Sequence, residues 1–515
     1  MPLDIAERIR KMKKKKSTVP GDVPWKLILE FADVLSYPLY DIFKRSLDTG
    51  EYANVWKFEY VTPVPKVFPP KTIDELRKIS GITNFSKIFE SFIAEIMVED
   101  MKPNRDPSQY GNRKGISVQH YLINMIDKIM TALDSNTQKE AYAVIVSMVD
   151  WSKAFDRQCP TLGVQSFVNN GVRKSIIPLL TNYFQERKMK VKWHGLLSSE
   201  RDLPGGGPQG CSIGLQEYDS QTNKNCDFVA EDERYKFVDD LSLLEIINLI
   251  SIGLSSYNFK QHVASDIAVD ELYLPAENIK SQDYMHQIES WTKSNKMKLN
   301  CQKIKVMIFN LTRNYQFSTR ILLDNTLLEI IEETKLLGCV ISSDLTWYRN
   351  TEYIVKRAYQ RMVILNRLYS FCVPHDDLVT IYCLYIRSLL EQNSNVWASS
   401  ITQEEIDDIE SVQRVACRII LKDDYTGYTN ALESLNLESL EARRQHLLLR
   451  FAKKSLKNPH SASMFPLNPN FSENPMENNR QTEKYKVNFA SKGILYNSAI
   501  PSIQRALNKD FRDRK

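Results

Sequence analysis

This chain of 515 residues has no CxxC pair, no long apolar run and no large excess of either charge. Its eight cysteines (Cys159, Cys211, Cys226, Cys301, Cys339, Cys372, Cys383 and Cys417) are scattered, which gives a structural zinc module little support and reads as reduced, intracellular thiols. The most apolar stretch, Leu241 to Leu254, is too short to span a bilayer and contains Glu245 and Asn248, so no membrane partner is expected. The N-terminal MPLDIAERIRKMKKKK carries a basic run with no apolar stretch behind it, which excludes a secretory signal. Lys plus Arg (68) exceed Asp plus Glu (63) by five, too few to identify a nucleic-acid partner from net charge. No solenoid repeat is present.

What is present is ordinary globular material. With 43% hydrophobic and 25% charged residues, the composition excludes wholesale disorder, collagen and a disulfide-rich miniprotein. The length suggests two to four domains of roughly 100 to 200 residues. Residues 1–22 read as a basic arm ending in the turn-forming Thr18-Val19-Pro20-Gly21-Asp22, with Lys13 to Lys16 suited equally to phosphate contact and to a solvated helix end. From Trp25 to Leu47, Leu27, Ile28, Phe31, Leu35, Leu39 and Phe43 recur at helical spacing and predict a buried helix pair. Glu59 to Lys66 reads as an edge strand tolerating Pro63 and Pro65. Helices are predicted over 85–101 and 118–133, and strands over Ala143–Val149 and Tyr235–Val238. Residues 351–457 are almost continuously helical in pattern, 458–480 read as a linker or poorly ordered strip, and the last 35 residues have room for one short helix.

The chemistry concentrates at two acidic positions. The run Ala143–Val149 delivers Asp150, and Tyr235–Val238 delivers Asp239 and Asp240. A carboxylate at the end of a buried strand costs desolvation energy unless a cation or hydrogen bonds compensate. Three converging carboxylates imply a hard, oxygen-seeking cation, Mg²⁺ above all with Mn²⁺ as an alternative. Two such ions roughly 3.5 to 4 Å apart activate an attacking hydroxyl and stabilise a leaving pyrophosphate in line. An isolated Asp-Asp pair is usually a turn or a helix start, but this pair has company. Between the acidic sites lies Leu203-Pro204-Gly205-Gly206-Gly207-Pro208-Gln209-Gly210, whose glycines allow backbone amides to approach a ligand.

Three blocks in order, Val149-Asp150-Trp151-Ser152-Lys153-Ala154-Phe155-Asp156, Gly207-Pro208-Gln209-Gly210 and Phe237-Val238-Asp239-Asp240, resemble the reverse transcriptases, and among them those of non-LTR, LINE-like retrotransposons. Further blocks look similar: Pro63–Lys66 with Leu76–Ser80, Gln109-Tyr110-Gly111, Lys296–Asn300 with Lys303, Leu336-Leu337-Gly338 with Leu345-Thr346-Trp347, and Tyr385–Glu391 with Val396-Trp397. The resemblance covers about residues 20–455. It implies an α+β right-hand polymerase, with fingers and an antiparallel-sheet palm in 23–347, an all-helical thumb and connection in 348–457, and a partly ordered tail in 458–515. It implies addition of dNTPs to a DNA primer 3′-OH on an RNA template, with Asp150, Asp239 and Asp240 as catalytic and metal-binding carboxylates for two Mg²⁺ ions. Lys66 and Arg77 would neutralise the triphosphate, Gln209 and Gly210 would meet the incoming nucleotide, and Lys303 would stand near the leaving group. Phe155 would press a ring against the sugar and so exclude a 2′-OH, whereas its plain reading is a core phenylalanine.

The resemblance further implies that cations of the helical region grip the duplex backbone, a track that Arg443, Arg444, Lys453 and Lys454 would extend, whereas the plain reading of each of these residues is a solvated helix face. Lys78, where the family often has proline, and Cys211-Ser212-Ile213-Gly214 depart from the common pattern. An upstream endonuclease, an RNase H domain and a zinc knuckle are not recognisable, which suggests a polymerase-bearing piece of a longer polyprotein or a decayed copy, in the nucleus or the cytoplasm. The competing expectation is a catalytically inactive nucleic-acid-binding remnant.

Overall fold

A computed structural model describes the whole chain except residues 13–17, 138–139, 204, 209, 252–271, 275–277, 313–316, 472–482, 488 and 514–515. The chain divides into two units. The first comprises Met1–Gln109, Asp150–Phe228 and His286–Asn300, and the second comprises Tyr110–Val149, Val229–Met285 and Cys301–Lys515.

The first unit opens with helix α1 (Pro2–Lys11), which buries Ile5, Ala6 and Ile9 on one face. The predicted helix pair is α2 (Trp25–Glu30) and α3 (Ala32–Thr49). Ile28, Leu39 and Phe43 are buried as expected, but Leu27 and Phe31 are 45% and 51% exposed, because the break at Phe31 turns the apolar stripe as the second helix begins. Helix α3 ends at Gly50, whose φ of +71° suits only glycine, and a Cβ there would come within 2.8 Å of Pro178. An aromatic cluster fills the interior: Phe43 stacks on Phe89 at 4.6 Å and Tyr52 meets Tyr183 edge-on at 4.9 Å.

Strands β1 (Phe58–Pro65) and β2 (Leu76–Gly81) form an antiparallel hairpin, followed in the chain by helix α4 (Asn84–Met101). The expected edge strand is interior in its first half and an edge in its second, where the prolines lie. Residues 58–61 also pair in parallel with a strand over Lys188–Trp193, so β1 has neighbours on both sides. The prolines are tolerated because that second pairing stops at Val61, leaving Pro63 and Pro65 with β2 as their sole neighbour.

The second unit is built on a five-stranded sheet. Helix α5 (Val118–Asp134) leads into β3 (Tyr142–Val149), which buries five consecutive residues, 143–147. Strands over Arg234–Phe237 and Asp240–Asn248 form a hairpin, and the second of these pairs antiparallel with β3 along its length, from Tyr142↔Asn248 to Val149↔Leu241. On its other side β3 pairs antiparallel with Lys305–Phe309, to which Glu329–Ile330 adds in parallel. Helix α5 covers the sheet: Tyr121, Met125, Ile129 and Leu133 share one core with Val144, Val146 and Leu244, and the Tyr121 hydroxyl donates to Ser242 Oγ at 2.7 Å.

The helical region follows a tight hairpin, Glu333–Leu336 with Cys339–Ser342, turned by Leu337 and Gly338, both at positive φ. Its main helices are Tyr348–Ser370, Gln403–Leu421 and Leu440–Ser455. Helix 403–421 starts with a capping box in which Thr402 and Glu405 satisfy each other's backbone amides. The same Glu405 accepts from Thr351 Oγ1 at 3.0 Å, tying two helices at their starts. The expected C-terminal helix is Ala499–Asp513, which buries Ile500, Ile503 and Leu507; of the predicted linker, 472–480 lie outside the described residues, while the part before them forms the short helix Pro459–Ala462 and buries Met464 and Phe465 in the core. Among the described residues no helix is long and apolar enough to cross a membrane, and all eight cysteines are free thiols.

Candidate catalytic site

Asp150 follows the last residue of β3 directly and begins the second stretch of the first unit. Its carbonyl accepts from the Asn300 amide at 2.9 Å, Trp151 bridges Leu299, and the Ser152 amide donates to the Lys298 carbonyl at 2.8 Å. The predicted block Lys296–Asn300 therefore clamps the backbone that presents Asp150. Asp150 Oδ2 is buried and has no hydrogen-bond partner. A carboxylate oxygen left that way costs free energy unless a cation meets it, and a hard divalent ion suits such a donor.

Asp239 and Asp240 belong to the second unit. Phe237 pairs with Asp240, leaving Val238-Asp239 as a two-residue turn. Val238 sits at φ +60°, a left-handed conformation costly for a β-branched residue, of order 1–3 kcal/mol. The Tyr110 amide donates to the Lys236 carbonyl at 2.8 Å, so the predicted block around Tyr110 anchors this hairpin. Burial raises the Tyr121 phenol well above its ordinary range, and the Asp240 carboxylate adds to that rise. Among the described residues no group of three or more His, Cys, Asp or Glu is arranged to hold a metal ion.

Gln209 lies outside the described residues, and Gly210 is exposed at φ +104°. The neighbouring glycines do not offer all their amides to a ligand as expected. The Gly206 amide donates to the Gln158 carbonyl at 2.9 Å and the Gly207 amide to the Phe155 carbonyl at 3.1 Å. At Gly206, with φ +82°, a Cβ would stand 2.9 Å from the Asp156 carbonyl oxygen, so the loop is glycine-rich because it lies against the chain that follows Asp150. Phe155 is half-buried, stacked on Tyr218 with ring centres 4.8 Å apart.

Beneath this loop lies a group of residues that the sequence did not reveal. Glu217, on helix 212–221, is fully buried, and neither of its carboxyl oxygens has a hydrogen-bond partner. A Cβ on Gly163 would come within 2.6 Å of one oxygen and a Cβ on Gly207 within 2.8 Å of the other. Burial pushes the Glu217 carboxyl up to about 8, against a smaller downward pull from Arg187. Gln158 is buried beside it with its amide unpartnered. The segment Gln216–Lys224 is so polar that it reads as a solvated helix face, and no spacing marks Glu217 as interior.

Lys78, the departure from the usual proline, has a role here. Its ammonium lies 3.3 Å from the fully buried carboxylate of Glu59 and 3.9 Å from Asp156. Removing it leaves Glu59 unpaired in the interior, so Lys78→Met is expected to lower stability by roughly 2–3 kcal/mol. Adding Glu59→Gln should restore most of that loss in denaturant unfolding. Equal losses in the single and double variants would exclude the pairing.

Lys66 and Arg77 are brought together on one hairpin, since Val64 pairs with Arg77 and Lys66 follows Pro65. Both are exposed, and Lys66 Nζ donates to the Asp74 carbonyl at 2.9 Å. Lys303 is exposed in the second unit, two residues before strand 305–309. The expected cationic track fails at three positions. Arg444 is 6% exposed, Arg443 is spent on Glu391, and Lys453 pairs with Asp510 at 2.7 Å. Helix 440–455 buries Arg444 and commits Arg443 and Lys453 to ion pairs, leaving Lys454 exposed. Lys13 to Lys16 lie outside the described residues.

The chain is similar to RNA-directed DNA polymerases of transposons, in agreement with the block resemblance to the reverse transcriptases of LINE-like elements. One relative, the probable RNA-directed DNA polymerase from transposon BS of Drosophila melanogaster, is 23% identical over 435 residues, 82% of this chain and 44% of its own length. A second, the probable RNA-directed DNA polymerase from transposon X-element of the same organism, is 26% identical over 176 residues, 34% of this chain and 19% of its own length. The chain thus spans less than half the length of either relative. No family model matches it.

Proposed function

We propose that this chain is a right-hand, RNA-directed DNA polymerase of a LINE-like element, adding dNTPs to a DNA primer on an RNA template. The observation that carries this reading is the register of two strands. Val149 and Leu241 are Cα partners, Asp150 follows the first by one peptide bond, and Asp240 precedes the second by one. The acidic residues therefore leave the same end of one antiparallel strand pair, and the neighbouring two-residue turn presents Asp239.

In this reading Asp150, Asp239 and Asp240 would hold two Mg²⁺ ions, or Mn²⁺ in their place, which when bound supply charge neutralisation for phosphoryl transfer. The protein residues do the positioning. Backbone bonds from 298–300 hold Asp150 in place, and the Tyr110 amide holds the hairpin of Asp239 and Asp240. Lys66 and Arg77 supply exposed positive charge for a triphosphate, Gln209 and Gly210 the loop beside the incoming nucleotide, and Lys303 a cation for the leaving group. The five-stranded sheet of the second unit would be the palm, the β1–β2 hairpin part of the fingers, and the helices after Trp347 the thumb.

The test is Mg²⁺-dependent extension of a DNA primer on an RNA template with dNTPs and, separately, with NTPs. Stacking on Tyr218 fixes the Phe155 ring, so Phe155→Ala is expected to raise ribonucleotide use relative to dNTP use by tenfold or more, about 1.4 kcal/mol of lost discrimination. Unchanged sugar selectivity would return Phe155 to a packing role. A folded parent that adds no nucleotide would favour the binding remnant.

A further inference from the structure

Within the first unit, a cleft of about 210 Å³ lies between helix 160–169, the end of helix 212–221 and helix 280–294. Its lining holds no carboxylate. Its floor is already ordered: the Asn170 side-chain amide donates to the Ser166 and Ser220 carbonyls at 2.8 and 3.1 Å, and Asn223 donates to Asn170 Oδ1 at 2.6 Å. Around that fixed floor stand Gln165, Asn169, Gln221, Lys224, Trp291 and Asn295.

All of these but Trp291 carry hydrogen-bonding capacity that the described residues do not use. Gln165 Nε2 donates to Asn169 Oδ1 at 3.1 Å, which leaves the Gln165 oxygen and the Asn169 amide hydrogens over. Asn295 Nδ2 donates to the Trp291 carbonyl at 2.9 Å, and the Asn295 side-chain oxygen is left over. Gln221 is 6% exposed, and its side-chain oxygen is buried without a partner. Lys224 is exposed and makes no ion pair among the described residues. Trp291 is half-buried, and its ring meets Trp151, the neighbour of Asp150, at 5.6 Å.

Carboxamides that offer both donors and acceptors match the edge of a nucleobase, an indole adds apolar contact, and a lone cation suits a phosphate. Lacking carboxylates, the cleft favours an anionic ligand over a cationic one. We propose that it holds one unpaired nucleotide of single-stranded RNA, its base met by the carboxamides and Trp291 and its phosphate by Lys224. This site rests on the polymerase reading and adds to it a grip on unpaired RNA that reaches, through Trp291 and Trp151, the segment presenting Asp150.

The test uses the full chain in EDTA without dNTPs, irradiated with a hexanucleotide RNA containing 4-thiouridine. Adducts are expected on the tryptic peptides Gln158–Arg173 and Ser281–Lys293. The Asn169→Ala, Lys224→Ala double variant, with its melting temperature checked against the parent, should lower adduct yield by about tenfold or more. Double-stranded RNA should not compete. Adducts confined to other peptides, a yield unchanged in the variant, or equal competition by maltohexaose would overturn the site. Because metal and dNTPs are absent, the two readings fail separately. A chain that crosslinks here but adds no nucleotide sinks the polymerase and leaves the site, whereas one that extends primers without these adducts sinks the site.

Discussion

Asp150→Asn is expected to lower primer extension by at least about a thousandfold while leaving binding of a primer–template duplex within about twofold. The substitution keeps the shape of the side chain and removes the charge that a divalent ion needs, and a loss of that size corresponds to roughly 4 kcal/mol of transition-state stabilisation. The backbone bonds to 298–300 do not involve the side chain, so the fold around residue 150 should persist. Single-turnover extension with saturating Mg²⁺ separates chemistry from binding. A variant that extends at the parent's rate would remove Asp150 from the site, and one that loses duplex binding in proportion would make its role structural.

The second large effect concerns stability. The Glu217 carboxyl holds its proton up to about pH 8 in the folded chain, against an ordinary value of 4.5. Between those values the folded state binds the proton more tightly than the unfolded state, so stability falls as pH rises from about 4.5 and levels off above about 8. The full difference is of order 5 kcal/mol, with a slope approaching 1.4 kcal/mol per pH unit in mid-range. Glu217→Gln, which has no proton to lose, should remove that slope. It should melt close to the parent at pH 5 and well above it at pH 8. Thermal unfolding of both proteins across this range checks the claim, and parallel pH profiles would show that Glu217 ionises freely.

The two strongest expectations differ in how well the sequence could carry them. Runs such as Ala143–Val149 are legible because a strand buried on both faces is continuously apolar, and its end fixes where Asp150 must stand. The helices from 348 to 457 are legible through their period. Glu217 was not, because the room for it is made by glycines outside its own helix, Gly207 in the preceding loop and Gly163 on a separate helix. Pairing across the chain also made the first half of the predicted Glu59–Lys66 strand, up to Val61, interior rather than edge, since Lys188–Trp193 carries no signal for the strand it joins. Arg443 and Arg444 show the same limit: a basic pair on a helix looks alike in sequence whether it faces solvent, an acid or the interior.

The first unit is assembled from three separate stretches, and its last, His286–Asn300, supplies the backbone that clamps Asp150. During synthesis, the segment bearing Asp150 must therefore wait for some 150 further residues before its partner exists. A nascent chain halted before residue 300 presents Asp150 on an unfinished scaffold. The backbone that holds Asp150 is thus completed only after residues 298–300 emerge, and fragments ending short of Asn300 should not hold Asp150 in this way unless residues 298–300 are restored.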